Sequence, residues 1–201
     1  MVYDNVVFDV DGVLSDSLGP HYQFCLDLAG KLGIELPERT PKEIADNPMD
    51  NLLRRAGFPE GIIPVALEHY KKLFGNYRVR LFEGVPRMLF NLVGYKDSLN
   101  IVSSNRFCNV ERVVGDFFPL FSRILTLDTH DSKGAALREI KDSAGGSVVY
   151  VGDTLEDHMA ACESGIPFIR ISYGWGIDGE EGMFPVASSV GELQRLLLEE
   201  E

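Results

Sequence analysis

Short apolar runs alternate with amphipathic patterns along much of the chain, and this alternation predicts its architecture. Apolar runs of strand length occupy residues 5–10, 99–102, 124–127, 147–151 and 167–171. The first of them is apolar on both faces, as a central strand of a parallel sheet is, and the later ones resemble it. Helical patterns fall between most of them. From about residue 84 onward, strand and helix therefore alternate, which predicts a doubly wound α/β fold with a mainly parallel sheet.

The region after the first strand departs from this alternation. Helical patterns there cover residues 20–32, 47–56 and 64–74, each followed by a glycine, and Thr40-Pro-Lys-Glu43 has the composition of a capping box. A simple crossover needs far less chain, so we infer a helical insertion of about 60 to 65 residues. We therefore assign residues 1–15 and 81–201 to an α/β core and residues 16–80 to an inserted α-helical segment.

Size, charge and cysteine content narrow the class of protein. A chain of 201 residues suits one core domain with a modest insertion. Its net charge of −12 repels nucleic acid and anionic membranes, so neither is a favoured partner. The three scattered cysteines suit a reducing compartment. Neither a signal peptide nor a membrane span is predicted, so we expect a cytoplasmic protein, as a monomer or homodimer.

Two carboxylates follow the first strand, in the sequence Asp9-Val-Asp11-Gly12. Residues two apart in extended chain project to the same side, and ligands of open α/β sheets bind beyond the carboxyl ends of the strands. Gly12 lets the backbone turn sharply beside a ligand. Taken alone, the motif is also compatible with a strand that ends in a turn of Asp and Gly.

A second acidic motif, from Gly152 to Asp157, follows another apolar strand and opens a helix. It places Asp153 at a strand end and Asp157 one helical turn later. Carboxylates from neighbouring strand ends repel one another unless a cation lies among them. Oxygen ligands without a His or Cys cluster favour Mg²⁺ over Zn²⁺. A helix-capping aspartate is the alternative interpretation of Asp153 alone.

Two further sequences could hold a phosphoryl group. Ser103, Ser104 and Asn105 end a third apolar strand in hydroxyls and an amide, and Lys133 opens a later helix. The ammonium of Lys133 could reach the same edge of the sheet. Considered singly, Ser103 is equally compatible with helix capping, and Lys133 with an ordinary surface lysine.

In this order, the four motifs resemble those of the haloacid dehalogenase superfamily of phosphotransferases, from residue 5 to beyond residue 171. The resemblance implies a Rossmann-like core. The helical insertion directly after the first motif is similar to the cap of the subfamily that contains phosphoglycolate phosphatases and β-phosphoglucomutases.

The resemblance also implies a mechanism in which two aspartates act in turn. Asp9 would attack phosphorus to form an aspartyl phosphate. Asp11 would protonate the leaving alkoxide and then accept a proton from the hydrolytic water. Ser103, or alternatively Ser104, would hold phosphoryl oxygens together with Lys133.

The metal site that the resemblance implies uses Mg²⁺. The carboxylates of Asp9 and Asp153 and the backbone carbonyl of Asp11 would bind it. Asp157 would support the metal site, through water or through Lys133.

The aspartate at position 11 bears on the reaction type. Dehalogenases and phosphonate hydrolases of the superfamily lack it, so its presence implies an ester leaving group that needs a proton. We expect a phosphatase acting on a small phosphorylated metabolite such as phosphoglycolate or a sugar phosphate. A phosphomutase is the alternative, and a non-catalytic phospholigand-binding protein is a third hypothesis. The predicted substrate contacts are Ser104, Asn105 and, in the cap, His21.

Overall fold

The computed structural model describes residues 3–46, 49–176 and 184–198. Its chain divides into two compact units. One comprises Met1–Asp16 with Leu81–Glu201, and the other comprises Ser17–Arg80.

Strands and helices follow one another in the following order. The strands are β1 (Asn5–Phe8), β2 (Ser15–Asp16), β3 (Arg80–Leu81), β4 (Ser98–Ser103), β5 (Arg123–Thr126), β6 (Val148–Gly152), β7 (Phe168–Ile171) and β8 (Val186–Ala187). The α-helices are α1 (Leu18–Leu32), α2 (Pro41–Ile44), α3 (Met49–Ala56), α4 (Ile63–Leu73), α5 (Val85–Val93), α6 (Phe107–Val114), α7 (Lys133–Ser143), α8 (Leu155–Ser164) and α9 (Val190–Leu198).

The first unit is built on a parallel sheet. Within the described ranges it has six strands in the order β5-β4-β1-β6-β7-β8, and every neighbouring pair is parallel. The predicted doubly wound α/β fold is confirmed. The sequence patterns did not predict β8, and they extended the first strand two residues beyond Phe8, where β1 ends.

Strand β1 lies at the centre of the sheet, between β4 and β6, and all four of its residues are buried. Val6 and Phe8 pack on one face with residues of α5 and α9, whereas Val7 packs on the other with residues of α7 and α8. Successive strand residues point to opposite faces. Because both faces are covered by helices, the three residues of β1 that follow Asn5 are all apolar.

The second unit contains α1 to α4. Helix α1 ends at Leu32 and is capped by Gly33, whose backbone is left-handed (φ 68°). The capping box at Thr40 and Glu43 is present at the start of α2. The predicted start of the next helix at Asn47 lies outside the described residues. None of the helices in the ranges that the structure describes has the length and apolar character needed to cross a membrane.

The two-sided core makes a prediction about stability. Leu137 on α7 is fully buried, whereas Leu127, after β5, is 48% exposed. We expect Leu137→Ala to lower the free energy of unfolding by about 2 to 5 kcal/mol, because it removes packed methyl groups and leaves a cavity. The matched Leu127→Ala should change it by less than about 1 kcal/mol. Urea denaturation of both variants measures the difference, and equal effects would contradict this description of the core.

Candidate active site

Two buried carboxylates meet at one edge of the sheet. Asp9 directly follows β1 and Asp153 directly follows β6, and these strands pair in parallel with Phe8 opposite Val151. The side chains of both aspartates are almost completely buried. Oxygen atoms of Asp9, Asp153 and Asp157 lie within 4.8 Å of one another. The parallel register therefore concentrates carboxylates in a buried place.

Asp9 and Asp153 each use one carboxylate oxygen within the protein. Oδ2 of Asp9 accepts a hydrogen bond from Nζ of Lys133 at 3.0 Å, and Oδ2 of Asp153 accepts one from the backbone N–H of Trp175 at 2.8 Å. Oδ1 of both residues is buried and has no hydrogen-bond partner in the part of the chain that the structure describes. Since buried polar atoms are normally paired, these two oxygens fit a bound cation.

Asp157 differs because protein donors occupy both of its oxygens. Oδ1 accepts hydrogen bonds from Lys133 at 2.7 Å and from the hydroxyl of Tyr150 at 2.6 Å. Oδ2 accepts from the backbone N–H groups of Asp153 and Thr154 and from the Thr154 hydroxyl. By proximity Asp157 belongs to the acidic group, but its hydrogen bonds leave it little capacity to bind a metal directly. These hydrogen bonds favour a supporting role for Asp157 through Lys133.

Lys133 is the cation that the protein itself supplies. It is the first residue of α7, and its side chain is buried between the carboxylates of Asp9 and Asp157. Burial alone lowers the pKa of Lys133, but the charges of Asp157 and Asp9 outweigh it and hold that pKa well above its usual range. Lys133 is therefore charged at neutral pH, and one positive charge faces three carboxylates.

The pKa values of Asp153 and Asp9 reflect their buried and negatively charged environment. Burial raises the pKa of Asp153 from 3.8 to about 8, assisted by the neighbouring charge of Asp157. Burial also raises the pKa of Asp9 well above its usual range, although Lys133 acts in the opposite direction. For Asp157, Lys133 and its other donors outweigh burial, and its pKa is lowered. Among these three residues, the pKa is raised for the two whose Oδ1 has no partner in the described ranges, and a bound cation would favour the ionised form of both.

The segment after β4 approaches the same edge. Ser103, the last residue of β4, is buried, and its Oγ accepts a hydrogen bond from the backbone N–H of Asn105 at 3.1 Å. Nδ2 of Asn105 donates to Oδ2 of Asp11 at 2.9 Å. The hydroxyl of Ser104 points to Oε1 of Glu156 at 3.4 Å. The structure thus brings Asp11, Ser103, Ser104 and Asn105 together, as the strand ends predict.

His21 occupies a different environment, inside the helical unit. It is 2% exposed, with Nδ1 2.7 Å from the carbonyl of Ser17 and Nε2 3.0 Å from the hydroxyl of Tyr70. Its ring packs against Phe74, with the centroids 4.1 Å apart. These contacts account for the buried position of His21 without a ligand. Its role as a substrate contact stays a prediction.

The sequence interpretation missed two supports of the acidic residues. Tyr150 lies in the middle of β6 and reads as a core aromatic, and only its buried hydroxyl, which requires a partner, could have indicated the contact with Asp157. Thr154 forms a capping box with Asp157 at the start of α8, and the Thr-x-x-Asp spacing is a usable signal for it.

The segment after β7 supplies a third support. The side chain of Trp175 is buried, and its backbone N–H fixes Asp153. Gly174 permits this approach: a Cβ at that position would lie 2.1 Å from the carbonyl oxygen of Gly12 and 2.7 Å from Oδ2 of Asp153. A backbone donor of this kind has no signature in side-chain sequence.

Comparison with known proteins places these features in a family context. Residues 6–171 match the family model of the haloacid dehalogenase-like hydrolases. A 5'-nucleotidase from Pseudomonas aeruginosa is 29% identical over 196 residues, which cover 89% of this chain and 86% of that protein. A phosphoglycolate phosphatase from Synechococcus elongatus is 27% identical over 186 residues, covering 89% and 87%.

A solved structure agrees in fold. A haloacid dehalogenase-like family hydrolase from Streptococcus pneumoniae superimposes with a TM-score of 0.80 at 18% identity, covering 98% of this chain and 99% of that one. At this identity the likeness bears on the fold alone.

The contact at Gly174 generates a prediction. We expect Gly174→Ala to lower the free energy of unfolding by an amount on the order of 1 to 3 kcal/mol, because the added methyl group displaces the backbone that holds Asp153. The melting temperature should fall accordingly. Gly191→Ala, in α9 where an added Cβ meets nothing within 4 Å, should be neutral or stabilising by up to about 1 kcal/mol. Thermal denaturation of both variants in the presence of EDTA tests this. An unchanged melting temperature in Gly174→Ala would contradict the close approach.

Proposed function

Because this chain belongs to the haloacid dehalogenase-like hydrolases, we propose that it is a Mg²⁺-dependent phosphatase acting on a small phosphorylated metabolite. The family resemblance predicted from the motifs is confirmed by the match over residues 6–171. The observation that carries the proposal is the environment of Asp9, whose carboxylate is buried at a strand end. Lys133 holds one of its oxygens, and no group in the described parts of the chain pairs with the other.

Asp9 is suited to act as the nucleophile. Its ion pair with Lys133 fixes the direction of the carboxylate and offsets part of the repulsion that an incoming phosphoryl group meets. In the proposed first step, an oxygen of Asp9 attacks phosphorus and the bond from phosphorus to the leaving oxygen breaks. The product is an aspartyl phosphate on Asp9.

Asp11 is suited to transfer the proton. It is only partly buried, and it lies two residues beyond the nucleophile, near the segment after β4. The leaving oxygen takes its proton from Asp11, which is then ionised and can accept a proton from water. That water attacks phosphorus, the bond to Asp9 breaks, and phosphate is released with both aspartates restored.

Mg²⁺ would be held by the free oxygens of Asp9 and Asp153 and by the backbone carbonyl of Asp11. When bound, it supplies positive charge that neutralises the carboxylates and the phosphoryl oxygens. In this proposal Ser103 and Lys133 hold phosphoryl oxygens, with Ser104 as the alternative hydroxyl. Asp157 supports the site by fixing Lys133.

The substrate class rests on the two relatives together. One is named for 5'-nucleotides and the other for phosphoglycolate, and both names denote hydrolysis of a phosphate monoester. We therefore propose a small phosphomonoester, with the helical unit Ser17–Arg80 acting as the cap that selects it. His21 as a substrate contact, a cytoplasmic location and a monomeric or homodimeric state stay predictions.

The raised pKa values predict how Mg²⁺ affects stability. Burial raises the pKa of Asp153 from 3.8 to about 8, so the metal-free folded protein retains a proton that the unfolded chain releases above about pH 4. Its stability should therefore fall as the pH rises toward about 8. Mg²⁺ has to displace that proton at low pH but not at high pH. The gain in melting temperature on adding Mg²⁺ should consequently be larger near pH 8 than near pH 5.5, by about 2 to 4 °C per kcal/mol of additional binding energy.

Calorimetry with Mg²⁺ or with EDTA at the two pH values measures this gain. Asp153→Asn removes the titrating carboxyl with little change of shape, so this variant should lose most of the Mg²⁺-dependent gain and its dependence on pH. A gain of the same size at both pH values in the unmodified protein would contradict a cation site formed by Asp153.

The catalytic proposal predicts release of phosphate from p-nitrophenyl phosphate in the presence of Mg²⁺ and its loss on adding EDTA. We expect Asp9→Asn to reduce kcat by a factor on the order of 10³ or more, because no covalent intermediate can form. The exposed Asp142, on α7, provides the matched control Asp142→Asn, which should retain full activity. Retained activity in Asp9→Asn would disprove the covalent mechanism.

A panel of phosphorylated metabolites identifies the substrate, and isomerisation of a sugar phosphate without net release of phosphate would indicate the phosphomutase alternative.

A further inference from the structure

The side chain of Asn105 is held in one orientation by its neighbours. Its Oδ1 accepts two hydrogen bonds, from the backbone N–H of Arg106 at 2.8 Å and from Nδ2 of Asn109 at 2.8 Å. The amide of Asn109 is oriented in turn, because its Oδ1 accepts a hydrogen bond from Arg112 at 3.4 Å. Only the oxygen of an amide can accept hydrogen bonds, so these two donors fix the positions of the oxygen and the nitrogen in the Asn105 amide.

The opposite end of this amide points at Asp11. Nδ2 of Asn105, which can only donate, lies 2.9 Å from Oδ2 of Asp11. Oδ2 must therefore act as an acceptor toward Asn105. Oδ1 of Asp11 has no hydrogen bond to any of the described residues. A proton carried by Asp11 is consequently favoured on Oδ1, the oxygen that is free to face a leaving group.

The segment that carries Asn105 is itself anchored. Oδ2 of Asp128 accepts the backbone N–H of Phe107 at 2.7 Å, and Oδ1 of Asp128 lies 3.5 Å from Nε of Arg106. These contacts tie the start of α6 to the segment after β5. The backbone N–H of Asn105 also donates to Oγ of Ser103. Asn105 is thus fixed between Ser103, where the phosphoryl group is proposed to bind, and Asp11, which is proposed to transfer the proton.

We propose that Asn105 is a positioning residue for Asp11 and selects Oδ1 of Asp11 as the proton-donating oxygen. Asn109 holds Asn105 in place. This inference rests on the proposed phosphatase function. As an oxygen of Asp9 bonds to phosphorus and the phosphorus–oxygen bond of the ester breaks, the electron pair of that bond passes to the leaving oxygen. The proton on Oδ1 of Asp11 passes to the same oxygen, and an alcohol departs. Asn105 donates to Oδ2 before and after the transfer and undergoes no covalent change.

The role assigned to Asn105 differs measurably from contact with the phosphoryl group, which was the prediction from sequence. A phosphoryl contact is common to all substrates, so its loss reduces kcat/KM by a similar factor for every ester. Loss of a positioned proton donor affects mainly esters whose leaving group is basic. kcat/KM covers the steps up to release of the leaving group and excludes hydrolysis of the aspartyl phosphate, so it isolates the first proton transfer.

The test compares kcat/KM for phenyl phosphate and p-nitrophenyl phosphate with saturating Mg²⁺. The two esters are similar in shape, but phenolate is about as basic as a tyrosine side chain, whose pKa is about 10, and needs a proton more. We expect Asn105→Ala to reduce kcat/KM at least about tenfold more for phenyl phosphate than for p-nitrophenyl phosphate. Asn109→Ala should produce a smaller difference in the same direction, since Arg106 still orients the amide. The matched control Asn91→Ala, on α5 with its amide bonded to Gln194, should change neither value.

A double-mutant cycle separates positioning from a general structural effect. In the Asp11→Asn background, Asn105→Ala should add no further difference between the two esters, because the residue that Asn105 positions has no proton to give. Equal reductions for both esters in Asn105→Ala would overturn the inference, as would a difference that persists in the Asp11→Asn background. If the unmodified protein hydrolyses neither ester, the proposed function itself fails. If the protein hydrolyses the esters in a manner that depends on Asp9, but Asn105→Ala reduces kcat/KM equally for both esters, only the role of Asn105 is disproved.

Discussion

Repulsion among buried carboxylates is the constraint on which the rest of the site depends. The parallel pairing of β1 with β6 brings Asp9 and Asp153 to one edge, and the first turn of α8 adds Asp157. Lys133 offsets one of these charges from within the protein. Burial, reinforced by the neighbouring carboxylates, raises the pKa of Asp9 and Asp153, and the proposed Mg²⁺ would offset the charge that Lys133 leaves.

The three carboxylates are not equivalent, and their hydrogen bonds show how the tasks are divided. Asp157 is fully occupied by donors from Lys133, Tyr150, Thr154 and the backbone, which makes it a rigid anchor for the lysine. Asp9 and Asp153 each keep one oxygen that no donor among the described residues reaches. A binding site requires ligand groups that are fixed and ligand atoms that are unoccupied, and in Asp9 and Asp153 a protein donor holds Oδ2 while Oδ1 is left for a ligand.

The two aspartates of the first motif occupy contrasting environments although only one residue separates them. Asp9 is buried and paired with a lysine, whereas Asp11 is partly exposed and meets the amide of Asn105. A nucleophile benefits from a fixed, partly neutralised charge, and a proton carrier benefits from access to the leaving group and to water. The end of a central strand provides both, because the chain passes there from the core to the surface.

The sequence by itself determined the α/β fold, the helix-rich stretch after β1 and the strand ends that carry Asp9, Ser103 and Asp153, because period-2 and period-3.6 patterns and turn residues are local. It did not determine which of the acidic side chains stay open, or that Tyr150 and the backbone of Trp175 hold two of them. The orientation of Asn105 likewise depends on contacts made after folding. Tertiary structure alone decided these features, because they join residues distant along the chain through backbone donors and buried hydroxyls, which leave no pattern in the sequence.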